Sequence, residues 1–425
     1  MVRAMGVIPP AGSLGCNRAA RLAAESRGKS TCGVTLAEKA NVKPGIRFHS
    51  VDALRGLIMM IMAIDHASGF IARQHGSEFW AGAMSAYDAA FPFLTRWITH
   101  VCAPGFFFLM GAGIYWLAAA RREAGVSEGA VIRRTVLRGF AILLTGQLLE
   151  TPVMYLQSLL KPATVSLNQI SAPPPNDGSA LYWGLIVLSG LGLTMMICGL
   201  LLRLRPWSWL LVSVLCVVAT NSLLPASGKP GPWWVTILLT PGLSQHLLVI
   251  YPVIPWLAGA AAGMYFAYWW RGNPVQASRR VWIPGAVLLV AGVALRASGG
   301  WGNIRLPRDA GWIEFLNNVK YPPSLVFWTM SLGIALLLLA LLIRLPEKVK
   351  SEWSPLIVFG QTPLFFYLAH VYLLAICAFA FFREAASLQG AYWLWAAVLV
   401  TLYPACAWYR RYKMSKPRES LWRLF

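Results

Sequence analysis

Apolar residues in this chain run in long unbroken stretches, without the strict alternation of a half-buried strand. Ten stretches come close to or exceed the roughly 20 residues a helix needs to cross a bilayer. They cover 51–70, 92–119, 136–158, 181–202, 207–224, 245–270, 281–298, 323–343, 355–381 and 390–409. Continuous runs disfavour a β-barrel, whose strands alternate lipid-facing and lumen-facing residues. The fold expected is all-α, a polytopic integral membrane bundle of about ten transmembrane helices. The longest runs must tilt or bend, and Pro104, Pro255 and Pro363 offer places to do so.

The polar segments between the runs set an orientation. With the N-terminus inside, the alternate segments 1–50, 120–138, 203–205, 271–280, 344–350 and 410–425 hold 27 of the 37 Lys and Arg residues. The opposite loops hold only Arg73, Lys161, Lys229, Arg305, Arg308, Lys320 and Arg383. Basic residues stay on the cytoplasmic side of short loops, so both termini are expected there.

Composition agrees, with 57% hydrophobic and 12% charged residues. The formal charge of +21 then reads as a topology signal and an attraction to anionic membrane lipids. Nucleic acid is the poorer partner, since no basic-aromatic stripe or finger spacing accompanies the charge. Of the 20 Trp, Trp80, Trp97, Trp116, Trp233 and Trp234 lie near predicted helix ends, as interfacial belts require. The seven Cys form no CxxC pair and read as small apolar packing residues, so no metal is expected. Residues 1–46 read as a disordered tail or an over-extended translation start, 47–410 as one transmembrane domain and 411–425 as a basic cytoplasmic tail. The uniformly apolar surface is compatible with a homodimer.

Ionisable groups inside the runs are the functional candidates, because they are expensive in hydrocarbon. Arg55 and His66 lie 11 residues apart on one face of the first run, about 16 Å along its axis. Asp52 joins Arg55 at the inner rim. Asp65 sits beside His66 in sequence but about 100° around the helix, so it need not orient that imidazole. Arg96 and His100 are four apart and share a face; a base next to a cation and a structural pair of headgroup and carbonyl contacts both remain open. By the same topology Glu150, His246 and His370 fall toward the outer face, which suggests a water-accessible cavity opening outward. Glu150 and His246, near helix ends, favour structural roles.

The segment RFHSVDALRGLIMMIMAIDHASG (47–69) resembles the first helix of membrane acyltransferases related to heparan-α-glucosaminide N-acetyltransferase, and more distantly bacterial membrane O-acyltransferases, in which an Arg, ten residues and a His mark the catalytic helix. TRWITHVCAPGFFFLMGAG (95–113), YPVIPWLAGAAAGMYFA (251–267) and FGQTPLFFYLAHVYLL (359–374) resemble further blocks of the bacterial branch, in order. The resemblance implies transfer of an acetyl or short acyl group from cytoplasmic acetyl-CoA to a carbohydrate or glycolipid amine or hydroxyl at the outer face. It implies His66 as catalytic residue, followed by His100 and then His75, which precedes the DAAFP segment at 88–92. Arg55 and Asp52 would meet the donor; Arg96, His75 and His370 would meet the acceptor, with Asp65 beside the catalytic His. A proton-coupled transporter or flippase using Asp65, His66, His100 and His370 is the rival reading, and inverted repeats, its hallmark, are not evident.

Overall fold

Each of the ten apolar runs contains a helix in the computed structural model, which describes residues 49–425 apart from 75–77, 82–83, 159, 161–182, 226–230, 245, 383, 418–419 and 421–425. The tail 1–46 and His75 lie outside the described residues. The chain divides at Arg47/Phe48, and everything below concerns the second unit. Its long helices are α1 (His49–Ala67), α2 (Cys102–Glu123), α3 (Glu128–Thr145), α4 (Val187–Leu200), α5 (Ser208–Ser222), α6 (Val253–Gly272), α7 (Trp282–Ser298), α8 (Leu325–Arg344), α9 (Pro363–Phe381) and α10 (Leu388–Ser415).

Among the described residues, seven continuous helical segments are long and apolar enough to cross a membrane: His49–Ala72, Ala90–Glu123, Glu128–Gln157, Pro274–Ser298, Leu325–Arg344, Pro363–Phe381 and Leu388–Ser415. Helices α4 and α5, of 14 and 15 residues, are shorter than the runs that contain them. Part of that shortfall is strand. Trp183–Leu185 pairs in parallel with Leu247–Val249, which pairs antiparallel with Gly242–Ser244. His246 therefore lies exposed between two strands and does not begin a helix. The physical reason is Pro252, which holds Tyr251 out of the helical region and delays α6 to Val253.

The prolines differ in effect. Pro255 is the third residue of α6, where no helical bond is lost, and so marks a helix start. Pro363 begins α9 after a break at Thr362 that separates it from the short helix Pro355–Gln361. Pro104 cannot donate to the carbonyl of His100, and the segment Ile98–Val101 tightens into a 3-10 turn between helix Ala90–Trp97 and α2.

Small residues let the central helices touch backbone to backbone, the usual way helices associate without a hydrophobic driving force. A Cβ on Gly56 of α1 would lie 1.9 Å from the Leu356 carbonyl oxygen, and one on Gly360 would lie 1.9 Å from that of Asp52. Gly111 of α2 meets the Ala260 carbonyl of α6 in the same way. At one end of the helices, Glu123 of α2 pairs with Arg271 of α6, and Arg122 binds Glu128 and the Leu202 carbonyl. The loop 299–324 meets the 78–85 segment beyond α1: Trp80 N–H donates to the Tyr321 carbonyl at 2.8 Å, and Arg308 donates to the carbonyls of Met84 and Ser85. Arg296 of α7 holds that loop, donating to the carbonyls of Arg305, Glu314, Phe315 and Asn317.

Candidate active site

Asp65 and His66, adjacent at the end of α1, enter two different polar clusters, as their separation around the helix requires. Asp65 faces the Ala90–Val101 segment. Its two carboxylate oxygens accept from one terminal nitrogen of Arg96 at 2.6 and 2.7 Å, and the Thr99 hydroxyl lies 3.1 Å from Oδ1. The other terminal nitrogen of Arg96 donates to Glu78 Oε2 at 2.6 Å. Glu78 Oε1 in turn lies 2.5 Å from His100 Nε2. Two buried carboxylates thus clasp one buried guanidinium, and one of them also orients an imidazole.

The Glu78–His100 contact fixes a tautomer. A carboxylate accepts, so neutral His100 carries its proton on Nε2 and keeps the Nδ1 lone pair. The backbone of Glu78 is itself anchored, its carbonyl accepting from the N–H groups of Lys320 and Tyr321 at 3.0 and 3.1 Å. Burial alone would raise the Glu78 carboxyl, but Arg96 and His100 outweigh it and hold the group well below the usual carboxylate range. Lys320 is buried, lies 5.2 Å from the centre of the Tyr321 ring and adds positive charge near Glu78 and His100. The buried Tyr87 hydroxyl lies in the field of Glu78, Arg96 and Asp65, with no hydrogen-bond partner among the described residues.

The second cluster joins α1 to α9. His66 Nδ1 and His370 Nε2 are 2.7 Å apart, and the rings stack at 5.0 Å between centres. His370 Nδ1 lies 2.9 Å from the Phe366 carbonyl, which only accepts, so Nδ1 carries the proton and Nε2 must accept from His66 Nδ1–H. This chain of donors leaves Nε2 of a neutral His66 unprotonated. His370 is fully buried, whereas His66 is half-buried. Tyr367 packs edge-on against both imidazoles and donates its hydroxyl to Glu150. Glu150 also accepts from the Leu188 N–H at 2.9 Å, at the start of α4, where a carboxylate satisfies open N–H groups. That accounts for a buried carboxylate without chemistry of its own.

A third group sits at the other end of α1. Arg55 donates to Asp52 Oδ1 at 2.9 Å and to the Gly360 carbonyl at 3.1 Å, while Gln361 donates to Asp52 Oδ2 at 3.0 Å. The Gly56–Gly360 crossing brings these atoms together. Arg138 lies in the field of Arg55, Arg134 and Arg121, so positive charge gathers around it.

Of the residues singled out in the sequence, Asp65, Arg96 and His100 share the first cluster, His66, His370 and Glu150 the second, and Asp52 and Arg55 the third. His246 joins none of them. Sequence reasoning missed Glu78, Lys320, Tyr87, Tyr367, Gln361 and Arg138. Glu78 was findable as a lone carboxylate flanked by Phe79 and Trp80.

A family model, the catalytic domain of heparan-alpha-glucosaminide N-acetyltransferase, matches residues 47–297, more than half of the chain. The match takes in α1 and both carboxylates that hold Arg96. No curated protein matches the chain.

Proposed function

The chain belongs to the heparan-α-glucosaminide N-acetyltransferase catalytic family, and from that premise we propose that it moves an acetyl group from acetyl-CoA on the cytoplasmic side to an amine or hydroxyl of a carbohydrate or glycolipid on the outer side. Both termini are then cytoplasmic, in keeping with the bias of the basic loops. The observation that carries the reading is the hydrogen-bonded chain Phe366–His370–His66, which gives His66 an unprotonated Nε2.

In this mechanism His66 Nε2 takes the proton of the acceptor amine or hydroxyl as the acceptor attacks the thioester carbonyl. The new N–C or O–C bond forms, the C–S bond breaks, and the proton passes from His66 to the departing CoA thiolate. Arg55, with Arg138 behind it, meets the phosphates of the donor. Arg55 and His66 are 11 residues apart on α1, about 16 Å, a gap that the pantetheine arm of an extended donor bridges. The Asp65–Arg96–Glu78–His100 network, with Tyr87 and Lys320, forms the acceptor side.

The test is transfer of labelled acetyl from acetyl-CoA by the purified protein to a panel of amino sugars and sugar alcohols. Transfer that disappears in His66→Ala, while the variant elutes and melts like the wild type, is the expected result. Undiminished transfer by that variant would remove His66 from the reaction.

A further inference from the structure

At the end of α2 away from His100, a cavity of about 470 Å³ opens between α2, α3 and the connection that leads into α5. Arg122 lies 20 residues beyond Cys102, about 30 Å along the helix, so this cavity is separate from the His66 and His100 clusters. Its floor is apolar and fully buried, made by Trp209 and Met264 with Tyr115 beside them. Its rim carries Arg122, Arg203 and Arg205.

The three guanidiniums are not equivalent. Arg122 is committed, donating to both oxygens of Glu128 at 2.6 and 2.7 Å and to the Leu202 carbonyl at 3.0 Å. Glu128, the acidic group of this lining, is thereby engaged. Arg203 and Arg205 are exposed and form no ion pair among the described residues. The rim thus presents a net positive charge above an apolar floor, next to the half-exposed Trp207 indole. Such indoles favour headgroup depth.

We propose that this cavity binds the phosphate of an anionic phospholipid headgroup. Guanidiniums match phosphate oxygens in pairs, and basic pockets between spanning helices at the cytoplasmic side are where such headgroups bind. The apolar floor suits an occupant that brings glycerol and acyl carbons behind its phosphate, which a free phosphate does not. The proposal rests on the reading that α2 and α5 lie in a bilayer with this end cytoplasmic, and not on the acetyl-transfer chemistry.

The test is native mass spectrometry of the full chain in detergent, offered phosphatidylglycerol or phosphatidylcholine, without any catalytic readout. The wild type should keep one phosphatidylglycerol and no phosphatidylcholine, and the R203Q/R205Q double variant should keep it roughly tenfold less well. Thermal melting of that variant checks its fold. Should it not fold, added salt should release phosphatidylglycerol from the wild type while leaving its melting curve in place. Equal retention of both lipids, or retention that neither the double variant nor salt reduces, overturns the proposal. Competition separates the two sources of phosphate: displacement by millimolar inorganic phosphate or by CoA overturns the lipid assignment, and resistance to both supports it. Acetyl transfer measured in parallel reports separately on the proposed reaction.

Discussion

His66 donates from Nδ1 to His370 Nε2 at 2.7 Å, and so the state of the half-buried imidazole is set by a fully buried one on another helix. The arrangement resembles the way a carboxylate orients a catalytic histidine, but with a neutral acceptor that brings no charge into the bundle. In the proposed reaction His370 is then a positioning residue. His370→Ala is expected to lower kcat roughly 10–100-fold with little change in KM, because the misplaced proton affects the transition state more than binding. His370→Gln, whose side-chain oxygen also accepts, should recover part of that loss. Equal kcat for the Ala and Gln variants would show that His370 only fills space.

Glu78 supplies a pH-dependent prediction. Burial raises its carboxyl, yet Arg96 and His100 outweigh burial and hold it well below the ordinary 4.5. A depressed folded value means that the stability Glu78 contributes is fully present above pH 4.5 and is lost as pH falls below it. Glu78→Gln removes one of the two carboxylates that clasp Arg96, and a broken buried ion pair costs on the order of 3–5 kcal/mol. Thermal melting between pH 3.5 and 7 should therefore show a lower, flatter profile for the variant than for the wild type. Parallel profiles would mean that Glu78 does not titrate with unfolding.

The Arg55 end of α1 allows binding to be tested apart from chemistry. In the proposed reaction Arg55 and Arg138 meet the phosphates of the donor, far from the transferred carbon, so their interaction would be the same in ground and transition states. Arg55→Gln and Arg138→Gln should each raise the KM for acetyl-CoA roughly tenfold and leave kcat within about twofold. Steady-state kinetics at varied ionic strength check this, since a lost phosphate contact also reduces the salt dependence of KM. A fall in kcat at unchanged KM would move these residues away from the donor.

Local periodicity made part of this site legible. The 3.6-residue repeat placed Asp65 and His66 on different faces of α1, and they do enter different clusters. The spacing of Arg96 and His100 put them on one face, and Glu78 touches both. Contacts made by residues distant in sequence could not be read that way. His66 and His370 are 304 residues apart, and no pattern within either helix announces the other. Glu78 lies in an irregular segment fixed by Lys320 and Tyr321, where no period exists to mark it. The same limit explains the strand residues 183–185 and 247–249, whose apolar character fits a buried helix as well as a buried strand.

The crossing of α1 with Pro355–Gln361 tests whether the site depends on helix contact at backbone distance. At Gly56 a Cβ would lie 1.9 Å from the Leu356 carbonyl oxygen, and at Gly360 another would lie 1.9 Å from that of Asp52. Neither neighbour is a flexible side chain, so Gly56→Ala must push the two helices apart. Overpacking of this kind typically costs 1–3 kcal/mol. The separation also lengthens the bond from Arg55 to the Gly360 carbonyl, now 3.1 Å, and the bond from Gln361 to Asp52, now 3.0 Å. Gly56→Ala is therefore expected to lower the melting temperature in detergent and to raise the KM for acetyl-CoA together, whereas Gly113→Ala, where a Cβ meets nothing within 4 Å, should do neither. A variant at Gly56 that melts like the wild type would show that the helices do not cross this closely, and the placement of Arg55 against Gly360 would fall with it.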